Sequence, residues 1–203
     1  MYHRWADSRK AFVQEISDGQ IGYVHIRSMD DGSFRDLYEQ AMGENLNKKA
    51  LVVDTRFNFG GLLHDDLNTF LSGKEYLKFA PQGDILKGGQ PAPRWTRPSI
   101  VVMSEGNYSD ASVFPYIYKQ NGLGKLVGMP VPGTGTGVWL ESQIDPTLTI
   151  GIPTIGMIGK EGRAIENLQV EPDIRVPMPY EAFLEGEDPQ LRTAVEELLK
   201  QVQ

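Results

Sequence analysis

The chain has 203 residues, 40% of them apolar, with 20 basic against 27 acidic side chains and a net charge of −7. It is long enough for one domain with a sizeable core, or one large piece of a longer protein, which excludes a disordered chain. The acidic balance excludes nucleic-acid binding through bulk positive charge, and no apolar run approaches the ~18 residues a membrane-spanning helix needs.

Helical spacing of Trp5, Ala6, Phe12, Val13 and Ile16 predicts a helix over 4–17, ended by Gly19. Residues 20–26 read as a strand. Ser33 is placed to cap a helix reaching about residue 45. The run ALVVD at 50–54 has the signature of a strand buried on both faces, and 55–61 (TRFNFGG) is a loop leading to a helix over 62–71. A strand is predicted at 75–80 and a Pro- and Gly-rich surface loop at 81–98. Residues 99–104 (SIVVMS) form a second buried strand, followed by a tight turn and a helix from Ser109 or Asp110 to about 120. Pro115 is read as tolerated because it lies near the helix start. Another strand falls at 125–128, a loop at 129–137, short strands within 138–158, an extended segment at 172–176 and two helices within 179–201. The last helix carries Leu191, Ala194, Val195, Leu198 and Leu199 on one stripe. This alternation, with 22 Gly and 13 Pro, predicts an α/β fold with helices on a central sheet.

The chain has no cysteine, which removes disulfides, cysteine-ligated zinc and a thiol nucleophile together. No signal peptide is visible in residues 1–7, and the compartment, cytoplasm or periplasm, stays open. Three segments can carry chemistry. The glycine pair Gly60 and Gly61, after a buried strand and before a helix, can turn backbone N–H groups toward an anion, as a phosphate site or half of an oxyanion hole; a plain tight turn is the alternative. Ser109 follows the second buried strand, where a strand-to-helix turn would expose its hydroxyl and aim the next N–H the same way. The pattern G-x-x-S-D is not the G-x-S-x-G elbow, and a simple helix cap is the alternative. Glu166, beside Asn167 in a loop, could orient a histidine or a substrate backbone, or be a solvated acid. His25 reads as a packed, hydrogen-bonded residue. His64 stands beside Asp65 and Asp66, but neighbours on a helix point apart, so no metal site is expected, and no cofactor.

Read in order, LVVDTRFNFGG, SEGNYSDASVFPYIYKQNGLGKLVG and IENLQVEPDI resemble the catalytic domain of tricorn protease and the wider group of C-terminal-processing (tail-specific) serine peptidases. The resemblance runs from about Gly19 to the C-terminus. It implies an α/β fold of the crotonase (ClpP/crotonase) type, a β-sheet core with flanking helices. It matches Ser109 to the nucleophile, the N–H groups of Gly61 and Asp110 to the oxyanion hole, and Glu166 to the glutamate of the tricorn tetrad. Tail-specific peptidases carry a lysine base about 25 residues after the serine; here that neighbourhood is Gly133-Thr134-Gly135, and Lys125 comes too early. The resemblance therefore favours a histidine base. In tricorn-type enzymes that histidine lies upstream, before an inserted PDZ domain, and neither His25 nor His64 matches it. Residues 1–18 are then a helical lead-in and 19–203 the nucleophile-bearing domain, nearly inactive alone. A peptide or unfolded-protein substrate is implied, and a homo-oligomer is allowed. A crotonase-like module binding acyl thioesters, a peptide-binding scaffold and an α/β-hydrolase are the competing readings.

Overall fold

Uninterrupted apolar runs become the middle of a parallel sheet, because only there are both faces of a strand covered. The computed structural model describes residues 1–80, 82 and 88–202. In chain order the elements are α1 (Tyr2–Ile16), β1 (Ile21–His25), α2 (Asp31–Met42), β2 (Ala50–Asp54), α3 (His64–Ser72), β3 (Leu77–Lys78), β4 (Gly89–Gln90) and β5 (Ser99–Met103). There follow α4 (Asp110–Gln120), β6 (Gly124–Gly128), β7 (Gly137–Ser142), β8 (Thr149–Ile155), β9 (Ile174–Arg175), α5 (Tyr180–Leu184) and α6 (Pro189–Leu199). The central sheet has the order β1-β2-β5-β6-β9 and all its pairings are parallel. Val53 lies beside Val101, and Val101 beside Leu126.

Alternate residues of each strand point to opposite faces, so the sheet divides the core in two. One face packs Val53, Val101 and Met103 against Leu37 of α2, Leu67 and Phe70 of α3, and Phe114 of α4. The other packs Val52, Ile100 and Val102 against Val13 of α1 and Leu191, Ala194, Val195 and Leu198 of α6. The predicted stripe on α6 is thus the face that is buried, with Leu199 packed at its margin. α1 lies against β1 and α6.

Four local expectations are corrected. Asp30, not Ser33, caps α2: its carboxylate accepts the Ser33 N–H at 2.8 Å, while the Ser33 hydroxyl accepts from Ser28 N–H. An aspartate three residues before a free amide is the better-placed acceptor. The strand expected at 75–80 shrinks to the two residues of β3, paired antiparallel with β4, which itself lies in the segment read as a loop. Residues 81 and 83–87 of that predicted loop lie outside the described residues. Pro115 is interior to α4, not near its start. Its ring cannot donate to the Ala111 carbonyl, and Asn107 Nδ2 takes that acceptor at 3.2 Å. The short strands expected within 138–158 are one hairpin, β7–β8, with Trp139, Leu140 and Ile150 exposed.

A buried ionic cluster ties the sheet to α6. Arg56 Nη2 lies 2.6 Å from Asp54 Oδ2 and 3.0 Å from Asp188 Oδ2, and Nη1 donates to Gln190 Oε1 at 3.0 Å. Tyr23 donates its hydroxyl to Asp54, and Arg9 of α1 reaches Asp188.

Candidate active site

In a parallel sheet every strand ends on the same edge, and ligand sites form in the loops there. Three such loops meet here: 55–63 after β2, 104–109 after β5 and 129–136 after β6. Two buried asparagines shape the first two. Asn58 accepts the Gly60 N–H on Oδ1 at 2.8 Å and donates Nδ2 to the Ile26 carbonyl. Its own carbonyl accepts from Tyr108 N–H, which docks the second turn on the first. Asn107 accepts from the N–H and hydroxyl of Ser104 and donates to Thr55 and Ala111.

Ser109 sits at φ 56 and ψ −125, a conformation that non-glycine residues adopt at a cost of about 1–3 kcal/mol. It occupies the N-cap position of α4, yet its side chain makes no capping bond. Helix capping therefore does not account for the serine. Its backbone N–H is held by Thr134 Oγ1 at 2.8 Å, and Thr134 also meets the Ser112 hydroxyl at 3.1 Å.

Gly60 and Gly61 face this turn. A Cβ on Gly60 would lie 2.6 Å from the Ser109 Cβ and 3.1 Å from Asp110 N, so only glycine allows the approach. Gly61 is bridged to Met29: the Met29 N–H donates to the Gly60 carbonyl, and the Met29 carbonyl accepts from Leu62 N–H at 2.7 Å. A Cβ on Gly61 would overlap that Met29 carbonyl. Among the described residues, no acceptor is found for the N–H of Gly61 or of Asp110. Glu166 does not touch Ser109. Its Oε2 accepts from Gly135 N–H (2.9 Å), Thr136 N–H (2.8 Å) and the Thr136 hydroxyl (2.6 Å). Asn167, at φ 60, donates its N–H to the Gly133 carbonyl. The pair thus grips the loop that carries Thr134.

The sequence model of Peptidase family S41 matches residues 20–176. The chain belongs to that family. The tricorn protease homolog of Saccharolobus solfataricus is 31% identical over 207 residues, an alignment covering 100% of this chain and 19% of that protein. The crystal structure of the tricorn protease superposes with a TM-score of 0.83 at 26% identity, over 99% of this chain and 20% of the other. A photosystem II C-terminal processing protease shares the fold, with a TM-score of 0.60 at 18% identity, over 90% of this chain and 48% of the other. The chain spans about a quarter or less of the length of the curated relatives it matches.

In this S41 family member the structure brings Ser109, Asp110, Gly60 and Gly61 together, and places Glu166 one loop away. Neither His25 nor His64 is hydrogen-bonded to the Ser109 hydroxyl. His25 is bonded to Tyr2 through Nδ1 at 2.9 Å and to the Arg56 carbonyl through Nε2 at 3.1 Å, with Trp5 edge-on to the ring. Burial holds its pKa below the ordinary value, against the pull of Asp54. This is the packed role expected of it. His64 pairs through Nδ1 with Asp110 Oδ1, not with Asp65 or Asp66. That bond holds its pKa above the ordinary value, against partial burial. The hydroxyl of Thr136, outweighing some burial, and the two loop amides hold the Glu166 carboxyl below the usual carboxylate range.

Sequence reasoning missed Asn58, Asn107, Thr134 and the Asp110–His64 pair. For Thr134 a signal existed: it stands 25 residues after Ser109, where tail-specific members carry their lysine. Here the position supplies an acceptor for the serine's backbone, not a base. Thr134→Val keeps the shape and removes that acceptor. It is expected to cost about 1–3 kcal/mol, the penalty of an orphaned amide. Thermal unfolding measures it; an unchanged Tm would show that the bond to Ser109 N–H carries no weight.

Proposed function

We propose that this chain carries the nucleophile and oxyanion hole of a serine-type peptidase. The carrying observation is Ser109 itself: a serine at φ 56 with no capping bond, beside two amides without acceptors. The Ser109 oxygen attacks the carbonyl of a peptide bond and gives its proton to a base. The N–H groups of Gly61 and Asp110 stabilise the oxyanion. The amine leaves with that proton, and water then hydrolyses the ester on Ser109. Glu166 acts through the 133–136 loop. Phe59 and Leu62, 78% and 76% exposed beside the turn, offer apolar surface to a peptide.

The base comes from outside these residues. Neither His25 nor His64 is hydrogen-bonded to the Ser109 hydroxyl, and no lysine stands at the tail-specific position. The domain division proposed with this reading is the one the resemblance implies: residues 1–18 as lead-in, 19–203 as the nucleophile-bearing domain, with a histidine-bearing subdomain and a PDZ domain upstream. The fold is read as crotonase-like, a reading supported by the parallel sheet with helices on both faces and by the likeness to the tricorn structure.

The test compares peptide hydrolysis by these 203 residues with that by the longer protein, each with Ser109→Ala. Turnover confined to the longer protein and lost in the variant is the expected result, with a fall of about 10⁴-fold or more. Turnover that survives Ser109→Ala would refute the assignment of the nucleophile. Serine-dependent turnover by the short chain would place a base within it.

A further inference from the structure

α3 starts without a cap of its own: its N-cap residue is Leu63, whose side chain accepts nothing. The missing acceptor comes from another helix. The Asp110 carboxylate, only 3% exposed, accepts from Leu63 N–H at 2.7 Å and His64 N–H at 3.1 Å through Oδ2. Its Oδ1 pairs with His64 Nδ1. Asp110 therefore has two ends with different tasks. Its N–H is one proposed oxyanion donor. Its carboxylate clamps the chain two and three residues beyond Gly61, which carries the other.

The opposite flank of the glycine turn is fixed by Met29, through its N–H to Gly60 and its carbonyl to Leu62. Gly61 is thus suspended between Met29 on one side and Asp110 on the other. The spacing of the two donors depends on how firmly Asp110 is held. Oxyanion donors work when they lie 2.7–3.1 Å from the developing charge, so slack of a few tenths of an ångström matters.

We propose that His64 is a positioning residue of the oxyanion hole, fixing the Asp110 carboxylate and through it the distance between the Gly61 and Asp110 N–H groups. The proposal rests on the peptidase reading above. The charged groups facing the imidazole are Asp110 of α4 and, from its own helix, Asp65 and Asp66. The Nδ1 bond commits the ring to the Asp110 carboxylate, and among the described residues neither ring nitrogen is hydrogen-bonded to the Ser109 hydroxyl. That separates His64 from the general base.

The experiment uses the longer active protein and a chromogenic peptide, with Ser109→Ala, His64→Ala and His64→Asn. Asparagine keeps a donor near the place of Nδ1 and cannot titrate. His64→Ala is expected to lower kcat about 10- to 100-fold with KM nearly unchanged, since the oxyanion forms only in the transition state. His64→Asn is expected to restore most of the lost kcat. A merely structural histidine would move Tm and the active fraction without this split and rescue. Wild-type kcat in His64→Ala, beside a dead Ser109→Ala, would overturn the proposal and leave the nucleophile standing. Loss of about 10⁴-fold in both His64 variants would make His64 the base and overturn it as well. Activity in Ser109→Ala would remove the peptidase reading, and this role with it.

Discussion

Gly60→Ala is expected to silence Ser109 while leaving most of the fold intact. The new methyl would stand 2.6 Å from the Ser109 Cβ and 2.8 Å from the Tyr108 carbonyl, distances that real Cβ atoms do not show. The glycine cannot retreat. Its N–H is held by Asn58, and its carbonyl by Met29 N–H and the Ser28 hydroxyl. Its φ of 98 adds backbone strain for any L side chain. The relief must come from the Ser109 turn, which moves away from the proposed oxyanion amides. Overpacking of this kind costs about 1–3 kcal/mol of stability. Displacing the proposed nucleophile by about 1 Å is expected to lower the rate about 10²-fold or more. The rate of Ser109 labelling by a fluorophosphonate checks the second figure, and a thermal melt checks the first. Labelling at the wild-type rate would mean that the turn has room the contact distances deny.

The second large effect concerns stability. Arg56→Ala removes the guanidinium that neutralises Asp54 and Asp188, both buried, and strands Gln190 Oε1. Breaking a buried pair from one side typically costs about 3–5 kcal/mol. Asp188 keeps Arg9, at 3.3 Å, so the greater loss falls on Asp54. The pH dependence gives the sharper test. Burial pushes the Asp54 carboxyl up, but Arg56 outweighs it and holds the pKa below the ordinary value. In the wild type Asp54 therefore contributes stability that is full above its unfolded pKa, about 3.9, and is lost as pH falls through its lower folded value. Without Arg56, burial goes unopposed and the folded pKa rises. The sign reverses: the variant is penalised at neutral pH and relieved as Asp54 takes up a proton. Urea unfolding at pH 7 and near pH 4.5 is expected to show the gap between wild type and variant narrowing in acid. A gap that stays constant would mean that Asp54 is not the group left uncompensated.

Some of this was legible in the chain because local chemistry sufficed. ALVVD and SIVVMS read as strands covered on both faces and became β2 and β5, since the interior of a parallel sheet covers both faces of such runs. Ser109 was legible as a serine on a strand-to-helix turn. Its positive φ was not, because that conformation is imposed by Thr134 and by the Asn58–Tyr108 bond, from 25 and about 50 residues away. The same holds for α3, which no residue of its own caps; its cap is Asp110, 46 positions on. Pro115 could have been read more sharply. A proline inside a helix frees a carbonyl, and the free carbonyl of Ala111 points back to Asn107 in the preceding turn. Glu166 was placed in the right loop, but its partners lie about 30 residues earlier, in a glycine-rich stretch with no pattern to mark it.

The order of the strands also governs how the site comes into being. β5, the strand before Ser109, pairs with β2 through Leu51 and Ser99 and with β6 through Ser99 and Gly124, so each pairing joins segments separated by other elements. Each pairing closes a long loop before it gains contact energy, the situation that slows folding. The serine's turn, the glycine turn and the Thr134 loop are delivered by three different strands. They can meet only when the middle of the sheet has closed. A partly folded chain would present the serine without its surroundings, and its hydroxyl would then be an ordinary alcohol. On the proposed reading, reactivity is thereby tied to the completion of folding, and a chain still emerging from synthesis carries a serine that cannot yet act on itself or on its neighbours.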